Sequence, residues 1–303
     1  VTVTTDTARR TEGGPGAPQF QTLHQRSPKA FILRMLLYAT LVFLTVLFVA
    51  PFVWLLSNSL KTAADAFNAD WIPNPVEWRN YVRIFQAAPM FLMLRNSTVV
   101  AVLAVALVVA SSSMIAYGLA RLRFPGRNLL FLAVLGTMML PGAVTMVPVY
   151  LIYKELGMVN TLWPLFFGNL FGSSFYIFLL RQFFLTIPED LVEAARIDGA
   201  NFYRIFLAIM IPLIQPAMLA VAIFEFQASW NNFLGPLIYI QRADLRTLPL
   251  GLQIFVQDLG TGGQMRWELL FAASVIMTLP TIVLFFFAQS AFVEGIATTG
   301  LKG

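Results

Sequence analysis

The chain has 303 residues, of which 58% are hydrophobic and 12% charged, with a formal net charge of +5. A soluble domain is typically about 45–50% apolar and about 25% charged, so the composition excludes an ordinary soluble protein and indicates an integral membrane protein. Cysteine is absent and His24 is the single histidine, which leaves no disulfide framework, no thiolate metal centre and no histidine-rich metal site. The basic residues cluster beside apolar blocks, where anionic lipid and the positive-inside rule account for them without a nucleic-acid partner.

Residues 1–30 are polar and rich in Thr, Gly and Pro, without periodic apolar positions, and are expected to form a disordered cytoplasmic tail carrying His24. The apolar block that follows is too long for a signal-peptide core and reads as an uncleaved first span. Six blocks approach the roughly 20 apolar residues that a membrane-crossing helix needs. They run from about Met35 to Leu56, Thr98 to Leu119, Leu129 to Tyr153, Leu162 to Leu180, Ile209 to Phe226 and Leu269 to Ala288. The third carries Pro141 and Pro148 and the fifth Pro212 and Pro216, so kinked or locally broken helix is expected in both. Ser111, Ser112 and Ser113 lie within the second, where small polar residues let helices approach closely.

Arg26, Lys29 and Arg34 precede the first span, and Arg121, Arg123 and Arg127 follow the second without an acid among them. This bias predicts that the N-terminus and the 120s loop are cytoplasmic. Six crossings then make the C-terminus and the segment around residues 186–212 cytoplasmic, and leave residues of about 58–95 and 228–268 outside.

None of the lysines, Lys29, Lys61, Lys154 and Lys302, sits in a G-x-x-x-x-G-K-[ST] loop, so no phosphate-binding loop is present. One histidine in a tail supports no nucleophilic triad. Transport is the remaining class. Glu225, near the outer end of the fifth block, is the one candidate for an ion-coupled carrier; the alternatives are that it faces a wet cavity or pairs with a neighbouring subunit. Glu268 is expected at the outer edge of the sixth block, in reach of water.

Residues 186–212 carry the most local information. Thr186 and Glu189 have the spacing of a capping box, with Pro188 in the first turn. A helix is expected from about Pro188 to Asp198, with Glu189, Asp190 and Glu193 towards its N-terminus and Arg196 towards its C-terminus, as the helix dipole favours. Gly199 suits a left-handed C-terminal cap, and Asn201 an N-cap for a second helix, on which Phe202 and Phe206 share a face. A surface anchor would be basic. This helix is acidic, and the Ala194–Ala195 pair offers a smooth patch suited to a protein groove.

Glu193-Ala194-Ala195, Gly199 and Ile209-x-Ile211-Pro212 match the EAA signature of ABC importer permeases, with Ile211 in place of the usual Leu. The similarity extends through SLKTAADAF (59–67), AYGLARLRFPGRNLLF (116–131), LPGAVTMVPVYLIYKELGMVNT (140–161), RQFFLTIPEDLVEAARIDGA (181–200), WNNFLGPL (230–237), TLPLGL (247–252) and GLKG (300–303). In these stretches the chain resembles the carbohydrate-uptake branch, specifically the maltose-type "G" permease subunit. The resemblance implies an all-α, six-span subunit with a permease domain over residues 31–303, in a bacterial inner membrane. It also implies a second permease, two cytosolic ATPase subunits that hold ATP and Mg, and an extracytoplasmic sugar-binding protein. No cofactor is implied for this chain itself.

Carried over onto this sequence, Glu193, Ala194, Ala195, Asp198 and Gly199, with Phe202 close by, form the contact with an ATPase. For the substrate path, Glu225, Gln227, Trp230, Asn231 and Asn232 offer the aromatic, amide and carboxylate groups that sugars favour. Trp230 could equally belong to an interfacial aromatic belt, and Asn231 and Asn232 could equally satisfy loop backbone. The 71–81 and 240–267 stretches are candidate contacts for the binding protein, and their aromatics equally suit membrane anchoring. An ABC permease for a non-sugar solute, such as a glycerol phosphodiester, a polyamine or an amino acid, and an ion-coupled carrier are the competing readings.

Overall fold

The computed structural model describes residues 28–261 and 266–300. The tail expected over residues 1–30 lies outside the described residues up to position 27, as do 301–303 of the terminal GLKG. Every regular element among the described residues is helical, the arrangement by which a chain in hydrocarbon satisfies its own backbone groups.

The chain divides into two units at Phe52–Val53. The described part of the first is the N-terminal portion of helix α1 (Pro28–Ser59), whose apolar side chains from Phe31 to Phe52 are largely exposed. The second unit is built around α3 (Met90–Arg121), a continuous helix of 32 residues, about 48 Å long at 1.5 Å per residue. It begins two turns before the expected Thr98. Its buried positions Ala101, Ala104, Val108, Ser111, Ser112 and Ala116 recur at helical spacing. They let α6 (Ser174–Thr186) and α10 (Gln215–Trp230) pack closely along it, because small side chains bring helix backbones together.

Among the described residues three helices are long and apolar enough to cross a membrane, and three bent pairs each pass the same test jointly. The third expected block is one such pair, α4 (Arg127–Met138) and α5 (Gly142–Glu155), bent by 102° at Met139–Pro141. At 12 and 14 residues, neither arm alone reaches across a core of about 30 Å. Pro148 lies inside α5 without breaking it. The fourth block starts as two short 3-10 segments, Trp163–Leu165 and Phe167–Phe171, before α6.

In the fifth block, α8 (Phe202–Ile205) runs into a π turn at Phe206–Met210 and the short α9 (Ile211–Leu213), and a bend of 76° then leads into α10. Pro212 cannot donate to the Ala208 carbonyl and its ring crowds it; the wider π turn just before the proline accommodates that mismatch. Pro216 lies in the first turn of α10, where no donor is needed.

The region expected as a long outer loop, 228–268, is mostly ordered helix: α11 (Leu234–Tyr239) and α12 (Leu248–Thr261), ahead of α13 (Trp267–Gly300). Its apolar run is too short for a span, which is the signature of a buried core helix. Together with α2 (Asn80–Ala87), α12 packs at the Met90 end of α3, where Ile84, Met93, Trp230, Leu248, Phe255 and Leu269 form one core. Gly251 makes the closest approach there, since a Cβ would meet Met93 Sδ at 2.4 Å. A second core at the Arg121 end joins Tyr117, Leu180, Phe184, Val192, Ile205, Phe206 and Met210.

Candidate functional site

The segment after α6 folds as helix, glycine turn and helix. The first helix, α7 (Glu189–Ile197), turns away from α6 by 74°. Its N-terminus differs from the expected capping box. Thr186 is still the last residue of α6, and its hydroxyl donates to Phe183 O at 2.8 Å. Pro188 therefore takes the N-cap position without a side-chain hydrogen bond. The C-terminus follows expectation. Gly199 has φ +78 and donates to Arg196 O at 3.0 Å, while Ala200 N donates to Ala195 O at 2.9 Å, the two bonds of a Schellman cap. Asn201 Oδ1 then accepts from Arg204 N at 2.9 Å, which caps α8.

Val192 and Ala195 are buried against the core beneath α7, so Ala195 does not share an outer patch with Ala194. At about 100° per residue, adjacent alanines face different ways. The outward surface comprises Glu193, Ala194, Ile197, Asp198 and Gly199, continuing to Tyr203. Ile197 is 86% exposed and Tyr203 70% exposed. Both were missed in the sequence because an apolar residue in a helix reads as core; the signal for Ile197 is that it falls off the Val192–Ala195 stripe of α7. Phe202 and Phe206 do share a partner, Tyr117, with ring centroids at 5.3 and 5.0 Å. The same tyrosine meets Phe184 edge-on at 5.6 Å.

The 120s loop lies at the same end of the bundle. Arg121 donates to the carbonyls of both Phe184 and Ile187, at the C-terminal end of α6, where the last turn is short of intrahelical donors. Arg123 pairs with Glu189 at 3.3 Å on the surface, a contact of about 0–1 kcal/mol.

The substrate-path candidates separate. Glu225 is half-buried on α10 and its Oε1 accepts from Asn169 Nδ2 at 2.6 Å, with the Tyr176 hydroxyl beside it. Asn169 is itself held, donating to Ala104 O at 3.2 Å and accepting from Ser111 Oγ at 2.7 Å. The carboxylate thus has partners within its own chain, where the sequence offered a wet cavity or another subunit. Gln227 and Asn231 hydrogen-bond to each other, and Asn232 Oδ1 accepts from Gly235 N at 3.0 Å to start α11. Trp230 belongs to neither of its two expected places. It is 2% exposed, stacks on Phe226 at 5.5 Å and donates from Nε1 to Met277 O at 3.0 Å. Its ring is a core element, so no face is open to a sugar or to lipid headgroups. Glu268, expected in reach of water, is buried, with Oε1 accepting from Arg266 at 3.2 Å and Oε2 without a partner among the described residues.

Beyond the Met90 end of α3, Asn160 Oδ1 accepts from Gln241 N and Arg242 N at 3.0 and 2.9 Å. Arg242 in turn grips Asp244 at 3.0 and 2.6 Å, which holds that carboxyl below the usual carboxylate range.

Comparison with known proteins places this geometry in context. The family model described as binding-protein-dependent transport system inner membrane component matches residues 111–298. The chain is 34% identical over 284 residues to the arabinooligosaccharides transport system permease protein AraQ of Bacillus subtilis, covering 92% of this chain and 99% of that protein. It is 33% identical over 231 residues to the sn-glycerol-3-phosphate transport system permease protein UgpE of Yersinia enterocolitica, covering 74% and 81%. A chain from the crystal structure of a bacterial ABC transporter that imports the acidic polysaccharide alginate has the same fold, with TM-score 0.75, 22% identity and coverage of 87% and 98%.

Proposed function

The chain belongs to the binding-protein-dependent transport system inner membrane component family, and on that premise we propose that it is the sugar- or oligosaccharide-importing permease subunit of an ATP-driven transporter. Each bent pair then contributes one crossing, α7 lying at the cytoplasmic end of its pair, which gives six spans with both termini in the cytoplasm. A second permease completes the path, an extracytoplasmic binding protein delivers the solute, and two cytosolic ATPase subunits bind ATP and Mg and dock on α7. Family membership sets aside a stand-alone ion-coupled carrier.

The observation that carries the coupling role is the outward face of α7. Glu193, Ala194, Ile197 and Asp198 stand exposed on a helix whose other face is locked into the core. An 86% exposed isoleucine beside acids fits a protein groove better than lipid or water. In the mechanism, ATP binding closes the ATPase pair, α7 moves with it, and the spans shift from inward- to outward-facing. ATP drives this only to the extent that it binds one state more tightly, so α7 must transmit that difference.

For the solute, the arabinooligosaccharide relative matches nearly end to end. Among the described residues no lysine or arginine forms an ion pair with Glu225, and its carboxylate suits sugar hydroxyls better than phosphate. The similarity to the glycerol-3-phosphate permease favours an anionic solute as the second reading. Co-purification with the ATPase subunits tests the coupling role. Ile197→Asp should lower the bound ATPase at least tenfold while the chain stays in the membrane; undiminished ATPase on that variant would refute docking at α7. Uptake of arabinotriose against glycerol-3-phosphate by the reconstituted complex decides between the solutes.

A further inference from the structure

Helix α3 is fastened at both ends by polar side chains that grip backbone outside it, half-buried at the Arg121 end and buried at the Asn96 end. At one end, Arg121 donates to Phe184 O and Ile187 O, straddling the bend between α6 and α7, and Tyr117 one turn back meets Phe184, Phe202 and Phe206. At the other end Asn96, fully buried, donates to Asp244 O at 2.9 Å and Arg246 O at 3.1 Å, while Ser97 Oγ accepts from Leu248 N at 2.8 Å. The rod between has no proline and no break, in contrast to the bent pairs α4–α5 and α9–α10 beside it.

A bent element absorbs a displacement at its joint, whereas an unbroken helix with hydrogen bonds at both ends carries it. We infer that α3 is the transmission element of this subunit, with Arg121 and Asn96 as positioning residues that tie the coupling segment to the 243–248 loop about 40 Å away. Arg121 does this by holding two carbonyls at the C-terminal end of α6 through one nitrogen, Nη2; a lysine side chain is one bond shorter and does not carry its ammonium to the same point. Asn96 holds two carbonyls of that loop, beside the Leu248 N–H that Ser97 Oγ accepts. The inference rests on the coupling role proposed for α7.

The chain contains no cysteine, so once the partner subunits are made cysteine-free a single introduced one reports alone. The assembled transporter, with its partner permease and ATPase subunits, carries a nitroxide at Ala243→Cys, an exposed position. Its mobility is recorded with and without ATP and vanadate. The expected result is a nucleotide-dependent change in the parent complex that Arg121→Met and Asn96→Leu each abolish, with ATPase subunits still bound. The double variant should then behave like either single variant, a non-additivity that two unrelated losses of packing more than 7–10 Å apart do not show.

A full nucleotide response in either single variant, or additive partial losses in the double, overturns the inference. If Arg121→Met does not assemble, Arg121→Lys carries the test: a response at least halved supports the inference and an unchanged one overturns it. Absence of ATPase subunits from the unsubstituted complex counts against the coupling role itself, a result distinct from any of these.

Discussion

Gly199 has φ +78, and a Cβ built there meets no atom of the other described residues, its two chain neighbours aside, within 4 Å. The constraint is therefore conformational, not steric. A β-branched residue resists the left-handed region, at a cost of roughly 1–2 kcal/mol, whereas asparagine tolerates it. We predict that Gly199→Val lowers reconstituted transport about tenfold, the equivalent of ~1.4 kcal/mol, and that Gly199→Asn keeps most of it. Equal loss in both variants would show that a partner surface closes on this position. Trp230 teaches the opposite lesson. Its position beside Asn231 and Asn232 suggested a ligand contact or a membrane anchor, yet its burial and its bond to Met277 O make it a strut between α10 and α13. Nothing local announces that, because the acceptor lies 47 residues away.

Among elements, the close packing of α3 is the most exposed to test. Ala104 is fully buried where α3 meets the Asn169 segment, and its carbonyl accepts from Asn169. Ala104→Leu should overpack this contact and destabilise the protein by about 1–3 kcal/mol. The expected readout is a lower unfolding temperature in detergent, together with lost transport; an unchanged temperature would mean that the interface yields. The helix–turn–helix over 189–205 was legible because its caps are made by neighbours in sequence: Gly199 with Arg196, and Asn201 with Arg204. The misread element is the start of α7. Thr186 carries the right spacing to Glu189, but α6 reaches it first, so its hydroxyl serves Phe183 instead. A capping box requires that the preceding helix has already ended, and residue types alone do not record where that happens.

At the scale of the whole molecule, the Arg121 end and the Met90 end of α3 define two poles. The 120s loop, α7 and α8 meet at the first, and α2, α12 and the 243–248 loop at the second. The charge bias predicts a cytoplasmic first pole. Single cysteines provide the check in right-side-out vesicles: Asp190→Cys should be labelled by a membrane-impermeant maleimide only after permeabilisation, and Ala243→Cys without it. The reverse pattern would invert the proposed topology and remove α7 from the ATPase side.

Composition, block lengths, prolines and arginine placement by themselves determined a helical membrane protein, the positions of its apolar segments and the capped helix–turn–helix over 189–205. Each of these depends on transfer into lipid or on hydrogen bonds between near neighbours. Tertiary structure alone decided which face of α7 is exposed, that Glu268 and Trp230 are buried, that Glu225 has partners in its own chain, and how sharply the proline-bearing blocks bend. It also decided that α3 is tied at both ends, through Asn96 to carbonyls 148 and 150 residues away and through Arg121 to Phe184 and Ile187. Such contacts join groups that a one-dimensional pattern leaves far apart, and only packing brings them within the 3 Å or so over which a hydrogen bond acts.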